Sequence, residues 1–406
     1  MLLQMSWRNI WRNKTRSLVV IFAIAIGLIG GIFISGLMNG MVAQQTSNAI
    51  DSEISDIQIH NPKFLDNMSP RYLIHHVQEK LSAITGNNKV TSVCSRTKST
   101  AMASTATTGT GVTINGIVPG DEKKVTNIYA KLVSGTYFEK RGKTPSIVIS
   151  QKLSHKLKAD IGNKIVMTVQ ALNGEMTYIL YRVEGIYKTN NSQFDELNVF
   201  VLSSGLNQTL GIAKGEANEI AIRTIDTKSA HSVSSALATK FPSLSVQTWR
   251  EIRPSLIIMS TMMNQFSYWL MIIILFALIF GIINTMLMVI LERKRELGML
   301  MAVGMNRKRV FKMILLETTL LSITGGFIGL LISMGLMGIF GKSGINFASW
   351  SQGLEAMGYS SFIYPEVSLQ FYFIITILVI MTSVIASIWP TRKAMKINPA
   401  EAVRAE

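Results

Sequence analysis

Few residues in this chain could do chemistry, and they are scattered. The histidines His60, His75, His76, His155 and His231 show no zinc-site spacing, and His75-His76 reads as a solvated surface pair. A phosphate-binding loop is excluded: the nearest approach, Gly341-Lys342-Ser343, has Leu336 where the first glycine belongs. Nothing resembles a catalytic triad with its supporting motifs. Cys94 is the only cysteine, so no internal disulfide is possible. No catalytic residue, no metal ligand and no cofactor bound by this chain is expected. Its energy must then come from a partner or a gradient. A gradient-driven carrier would show midplane ionisable residues and a broken helix, and neither is evident. Charge is instead concentrated in one stretch, residues 291–305. As a helix it is a short amphipathic rod with Leu297, Met301 and Ala302 on its apolar side. Physics alone lets it bind headgroups or another protein; Glu292 and Glu296 weigh against anionic lipid.

That rod lies between apolar segments. Of 406 residues, 48% are hydrophobic and 16% charged, against roughly 25% charged in an average soluble domain. No charge occurs from Ser17 to Ile50, from Pro254 to Leu291 or from Val367 to Thr391, and Glu317 is the only one between Lys312 and Lys342. Each window exceeds the ~20 residues that cross hydrocarbon. Membrane helices are predicted at Leu18–Met41, Phe266–Leu291, Met313–Phe340 and Leu369–Trp389, the first a retained anchor rather than a cleaved signal. The fold class is membrane α-helical, with four transmembrane helices and a large mixed α+β extracytoplasmic domain between helices one and two.

Net charge is +16, most of it placed beside the membrane. Arg8, Arg12, Lys14 and Arg16 precede helix one, Arg293 to Lys312 follow helix two, and Arg392 to Arg404 follow helix four. Positive residues mark the cytoplasmic side, so both termini are expected inside. Charge bordering membrane helices excludes a nucleic-acid surface. The expected order is an interfacial helix (1–16), helix one with a stalk (17–50), the outer domain (51–254), a stalk with helix two (255–291), the charged segment (292–312), helix three (313–340), an outer loop (341–368), helix four (369–389) and a tail (390–406). Residues 1–16 read either as an interfacial helix bearing Leu3, Trp7, Ile10 and Trp11 on one face or as a simple positive anchor. Polar residues at the outer ends of the first two runs suggest helices continuing as a paired stalk, tilt plus a loop being the alternative.

Within the outer domain, Ile54–His60, Asn198–Leu202 and Glu219–Thr224 read as strands and Lys228–Lys240 as a helix. Asn173-Gly174 sets a hairpin between Lys164–Leu172 and Met176–Tyr187. The Ser/Thr/Ala-rich run Ser95–Thr110 reads as a mobile loop or an edge strand. In the membrane, Gly27, Gly31 and Ser35, and likewise Gly325, Gly329 and Ser333, are spaced by four for close helix packing. Glu317 is expected to pair with Lys312 or Arg309.

The charged segment resembles the coupling helix of MacB/LolC/LolE/FtsX-like ABC permeases, roughly E-R-x-R-E-[IL]-G-x-x-x-A-x-G. The matching residues are Glu292, Arg293, Arg295, Glu296, Leu297, Gly298, Ala302 and Gly304, with Met301 on the same rod. Arg8-Asn9, Arg12-Asn13 and Arg16 are similar to the family's N-terminal segment; Pro390, Arg392, Ala394, Pro399, Ala402 and Arg404 are similar to its C-terminal signature. Asn115-Gly116-Ile117 and Val183-Glu184-Gly185-Ile186 stand where the family's outer domain has such motifs.

The resemblance implies a mechanotransmission permease in a bacterial inner membrane. Two permease chains, identical or homologous, would pair around two cytoplasmic ATPase subunits that bind ATP and Mg. Residues 292–304 would be the ATPase contact. A periplasmic lipoprotein carrier or adaptor is a further partner. Lipoprotein release is the leading function, helped by the absence of a fused ATPase ahead of the anchor; MacB-like export of peptides, toxins or drugs and FtsX-like control of wall hydrolases are the alternatives. For lipoprotein permeases the resemblance implies an acyl-chain cavity. It would be lined here by Ile32, Phe33, Leu37 and Met41 of helix one and Phe266, Trp269, Leu270 and Ile273 of helix two, positions that lipid-facing or packing residues would equally fill.

Overall fold

A computed structural model describes residues 2–395 except 13, 140, 141 and 143. The chain divides into two compact units, one containing most of the length of the spanning helices and one the domain between the first two, with the outer ends of those helices and residues 347–361.

In the membrane unit the N-terminal helix Leu2–Arg12 precedes spanning helices one (Lys14–Ala49), two (Pro254–Glu292), three (Arg307–Ser343) and four (Leu369–Ala394). The short helix Lys294–Ala302, called the coupling helix after its resemblance to that element of the family, joins helices two and three. These helices share one core, with Ile24, Leu28, Ile32, Met313 and Val379 fully or nearly fully buried. Helices three and four run past the predicted ends because charged termini extend the apolar cores into the interface, as long basic side chains allow. Helix four passes through Pro390, which lacks the N–H that would bond the preceding turn. Small residues set the helix spacing. A Cβ on Gly325 would lie 2.9 Å from the Ile21 carbonyl oxygen and one on Gly329 3.0 Å from the Ala25 Cα, so helices one and three touch backbone to backbone there. Gly27 and Gly31 face Leu278 and Met271 of helix two. Ser35 and Ser333 are buried, the Ser333 hydroxyl donating to the Gly329 carbonyl at 2.6 Å.

The domain unit is built on strands β1 (Ile57–His60), β2 (Val90–Ser104), β3 (Gly109–Ile117), β4 (Leu132–Gly135), β5 (Ser146–Ser150), β6 (Lys164–Gln170), β7 (Met176–Tyr187), β8 (Asn198–Leu202), β9 (Glu219–Thr224) and β10 (Ser245–Thr248). Strand order is β10-β1-β9-β2-β3-β8-β5-β7-β4, and β6 pairs with both β2 and β7. That pairing closes β2, β3, β8, β5, β7 and β6 into a barrel filled by residues such as Met167, Tyr181, Val112 and Ile149. Below it β1, β9 and β10 pack on helices Val77–Thr85 and Ala230–Lys240 through Ile59, Ile84, Ile222 and Val233.

Strand β2 belongs to both parts, which corrects the reading of Ser95–Thr110 as a loop or edge for residues 95–104, while 105–108 do form a loop. It is an interior strand, paired to β9, β3 and β6. Ala101 and Ala103 point into the barrel, where small side chains fit a crowded lumen. Another correction concerns residues 54–56: Ile50–Ile54 form a π-helical turn, and the strand starts at Ile57.

The hairpin at Asn173-Gly174 is present, Gly174 taking φ +88°. Glycines of the two domain motifs sit where backbones nearly touch. A Cβ at Gly185 would lie 2.5 Å from the Thr136 carbonyl oxygen, and one at Gly116 3.2 Å from the Ser203 Cα.

Candidate functional site

The coupling helix is fixed from both ends. Gly304 adopts φ +103°, ending the helix in a conformation that L side chains rarely take. Asn306 then caps helix three, its side-chain oxygen accepting from the Lys308 N–H at 3.1 Å. On the inner side Leu297 and Gly298 are buried against the membrane unit.

Arg293, at the N-cap of the coupling helix, is turned inwards. Its Nη1 donates to both oxygens of Glu317, and its Nε to Glu296 Oε2 at 3.2 Å. The Arg12 guanidinium donates to the other Glu296 oxygen. The chain Arg12–Glu296–Arg293–Glu317 therefore ties the N-terminal helix, the coupling helix and helix three together. A small recess beside it is lined by Asn9, Ser17, Val20, Met286 and Leu321 with Arg12, Arg293 and Glu317. The hydrogen bond from Arg12 holds the Glu296 carboxyl below its ordinary range; burial opposes this and Arg293 adds to it. Glu317 thus pairs with Arg293 rather than Lys312 or Arg309, a further correction. Lys312 is five residues away, over a third of a turn round the helix from Glu317.

The outer face of the segment is different. Glu292, Arg295, Met299, Ala302, Val303 and Gly304 are exposed, Val303 at 90%. Met301 is half-buried. The motif is thus divided: Arg293, Leu297 and Gly298 serve the membrane unit, Glu296 sits between, and the others face out. The arrangement offers directional ion pairs and an apolar tip, and no acid–base pair or nucleophile.

Residues expected to line an acyl cavity stand in unlike settings on the two helices. Ile32 is fully buried, Phe33 packs edge-on to Phe340 at 5.9 Å, and Leu37 and Met41 are half-buried. Phe266, Trp269 and Ile273 instead face outwards from helix two at 51, 66 and 67% exposure, with Leu270 half-buried. Helix two has only 17% of its apolar window buried, against 44% for helix one.

Two polar clusters in the domain unit escaped sequence reasoning. Glu53, in the π-turn, accepts from Asn191 Nδ2 at 2.7 Å and from Arg253 Nη2 at 2.9 Å. Deeper, Arg96 forks onto Glu122 at 2.9 and 2.7 Å and reaches Glu219 at 2.8 Å, which Lys98 also meets at 2.5 Å. Arg96 and Lys98 inside a Ser/Thr run were the available signal, because a buried charge in a strand demands partners. Among the described residues, no group of histidine, cysteine and acidic side chains could hold a metal ion. Of the quoted motif residues, Asn13, Pro399, Ala402 and Arg404 lie outside the described residues.

Four spanning helices, with a large α+β domain between the first two and a short braced helix between the next two, define a multi-pass membrane protein with one large outer domain. Residues 17–240 match the MacB-like periplasmic core domain and residues 268–399 the FtsX-like permease C-terminal model. The chain belongs to this family of ABC-type permeases.

A macrolide export ATP-binding/permease protein of Agrobacterium fabrum is 22% identical over 99% of this chain and 60% of its own length. Its counterpart in Acinetobacter baylyi is 23% identical over 99% and 59%. The chain thus spans about three fifths of these curated relatives. The match falls on their permease portion and covers no ATPase region. The periplasmic region of MacB from Actinobacillus actinomycetemcomitans superposes with TM-score 0.35 and 13% identity, covering 52% of this chain and 97% of that structure.

Proposed function

We propose that this chain receives the stroke of an ABC-class ATPase on the exposed face of its coupling helix and passes it to the periplasmic domain. The observation that carries this reading is the ion-pair chain Arg12–Glu296–Arg293–Glu317. It locks one side of the helix to two others while leaving Arg295, Met299 and Val303 free to meet a partner. ATP and Mg belong to that ATPase. Both termini and the coupling helix lie in the cytoplasm, as the flanking arginines and lysines favour. A second permease chain pairs with this one in the membrane.

For the cargo we favour a lipid-anchored protein released from the inner membrane, because Phe266, Trp269 and Ile273 offer a continuous apolar and aromatic face to acyl chains. Export of a smaller molecule is the second reading, favoured by the relatives, which are named as macrolide and pyoverdine exporters. Photocrosslinking from positions 33 and 269, with and without a non-hydrolysable ATP analogue, separates them. Acylated protein adducts lost on nucleotide binding support lipoprotein release. Capture of phospholipid or partner helix alone moves export to first place.

A further inference from the structure

The N-terminal helix Leu2–Arg12 has two unlike faces. Ser6 and Ile10 are buried, the Ser6 hydroxyl donating to the Met313 carbonyl at 3.1 Å. Leu3, Trp7 and Trp11, spaced by four, are exposed at 59, 45 and 43%. The two indoles meet edge to face at 6.0 Å. Trp7, Arg8, Trp11 and Arg12 share one open surface of the helix. The helix carries no acidic residue.

Only residue 13 separates this helix from spanning helix one, which begins at Lys14. The bare stripe therefore continues a membrane-embedded surface at the depth where hydrocarbon gives way to headgroups. Indole rings prefer that layer, and guanidinium groups fork onto phosphate there. Pure hydrocarbon would leave Arg8 unsolvated, and bulk water would leave two tryptophans bare. Arg12 stands at the end of this stripe, half-exposed at 53%, and holds Glu296 of the coupling helix.

We propose that the Leu3–Arg12 stripe binds the phosphate headgroup of an anionic phospholipid in the adjoining leaflet, and that this headgroup shares Arg12 with Glu296. Lipid composition then conditions how firmly the coupling helix is held. The second clause rests on the coupling-helix reading above; the first does not.

The full chain, carrying a photoreactive benzoylphenylalanine at position 3, is tested in nanodiscs of phosphatidylcholine with a minority of phosphatidylglycerol. Phosphatidylglycerol adducts should exceed their share of the mixture by about fivefold for each arginine engaged. Arg8→Gln should remove about that factor, and free inorganic phosphate should not compete. Glu296→Gln should raise capture by releasing Arg12, whereas a merely disturbed fold would lower it. Adducts in proportion to the lipid mixture, adducts to a second copy of the chain, or competition by free phosphate would overturn the site. Enrichment unchanged in Glu296→Gln would overturn the sharing of Arg12 while leaving ATPase docking untouched.

Discussion

Arg293 and Glu317 meet across 24 residues of sequence, one guanidinium nitrogen donating to both carboxylate oxygens at 3.1 and 3.0 Å. Both side chains are close to nine-tenths buried. A pair of this kind holds geometry more than it adds net stability, because burying two charges offsets most of their attraction. Its consequence is mechanical: a push on the coupling helix moves helix three with it.

Removing Arg293 strips Glu317 of its buried ion pair, and removing Glu317 leaves Arg293 with Glu296 alone. Glu317→Met or Arg293→Met should each cost about 3–5 kcal/mol. Thermal unfolding of the solubilised chain measures this. The double variant Arg293→Met/Glu317→Met should recover most of the loss, and an additive loss would show that the two do not act as a pair.

Gly40 makes the tightest glycine contact in the membrane unit: a Cβ there would lie 2.1 Å from the Tyr364 carbonyl oxygen. Gly40→Ala should displace the segment before helix four and cost about 1–3 kcal/mol, as overpacking does. Gly30→Ala, with nothing within 4 Å, is the control and should stay near neutral. Equal melting temperatures for the two would refute the contact.

Legibility in the sequence followed the range of the forces involved. Uninterrupted apolar windows specify spanning helices locally, so helices one to four could be placed from residue types alone. The Asn173-Gly174 turn is local too. Strand β2 was not legible, because Ser, Thr and Ala carry little hydrophobic pattern and its place depends on three distant partner strands. Arg293 reads as a contact residue in the motif, yet its direction depends on Glu317, a helix away. The Glu53 and Arg96 clusters join residues from several elements, and no spacing rule reaches that far.

Glu53 accepts from Arg253, so one carboxylate links the π-turn ending helix one to the residue preceding helix two. Arg253→Gln should leave it short of one charged partner and raise hydrogen exchange of Ile50–Ile54 roughly tenfold. Unchanged protection there would mean that the turn is held without this bond.

Glu219 gives the domain an acid-sensitive anchor. Burial would raise its pKa, but Lys98, Arg96 and His60 together outweigh burial and bring it down to about 2 from 4.5. Because the folded value lies below the unfolded one, its stabilisation is complete above about pH 4.5 and is lost as pH falls towards 2. Glu219→Gln should remove that part of the acid dependence and cost about 3–5 kcal/mol at neutral pH by stranding Lys98 and taking one of the two carboxylates from Arg96. Fluorescence-monitored unfolding across this range decides, and an unaltered pH profile would contradict the assignment.

The reading of the coupling helix is tested most directly by a cysteine scan of positions 292–304, in a chain with Cys94→Ala, crosslinked to the ATPase expressed with it. Crosslinks should form from positions 295, 299 and 303 and be absent from 293, 297 and 298, the pattern that exposure dictates. Strong crosslinks from the inward positions, or none from the outward three in a complex that still hydrolyses ATP, would contradict it.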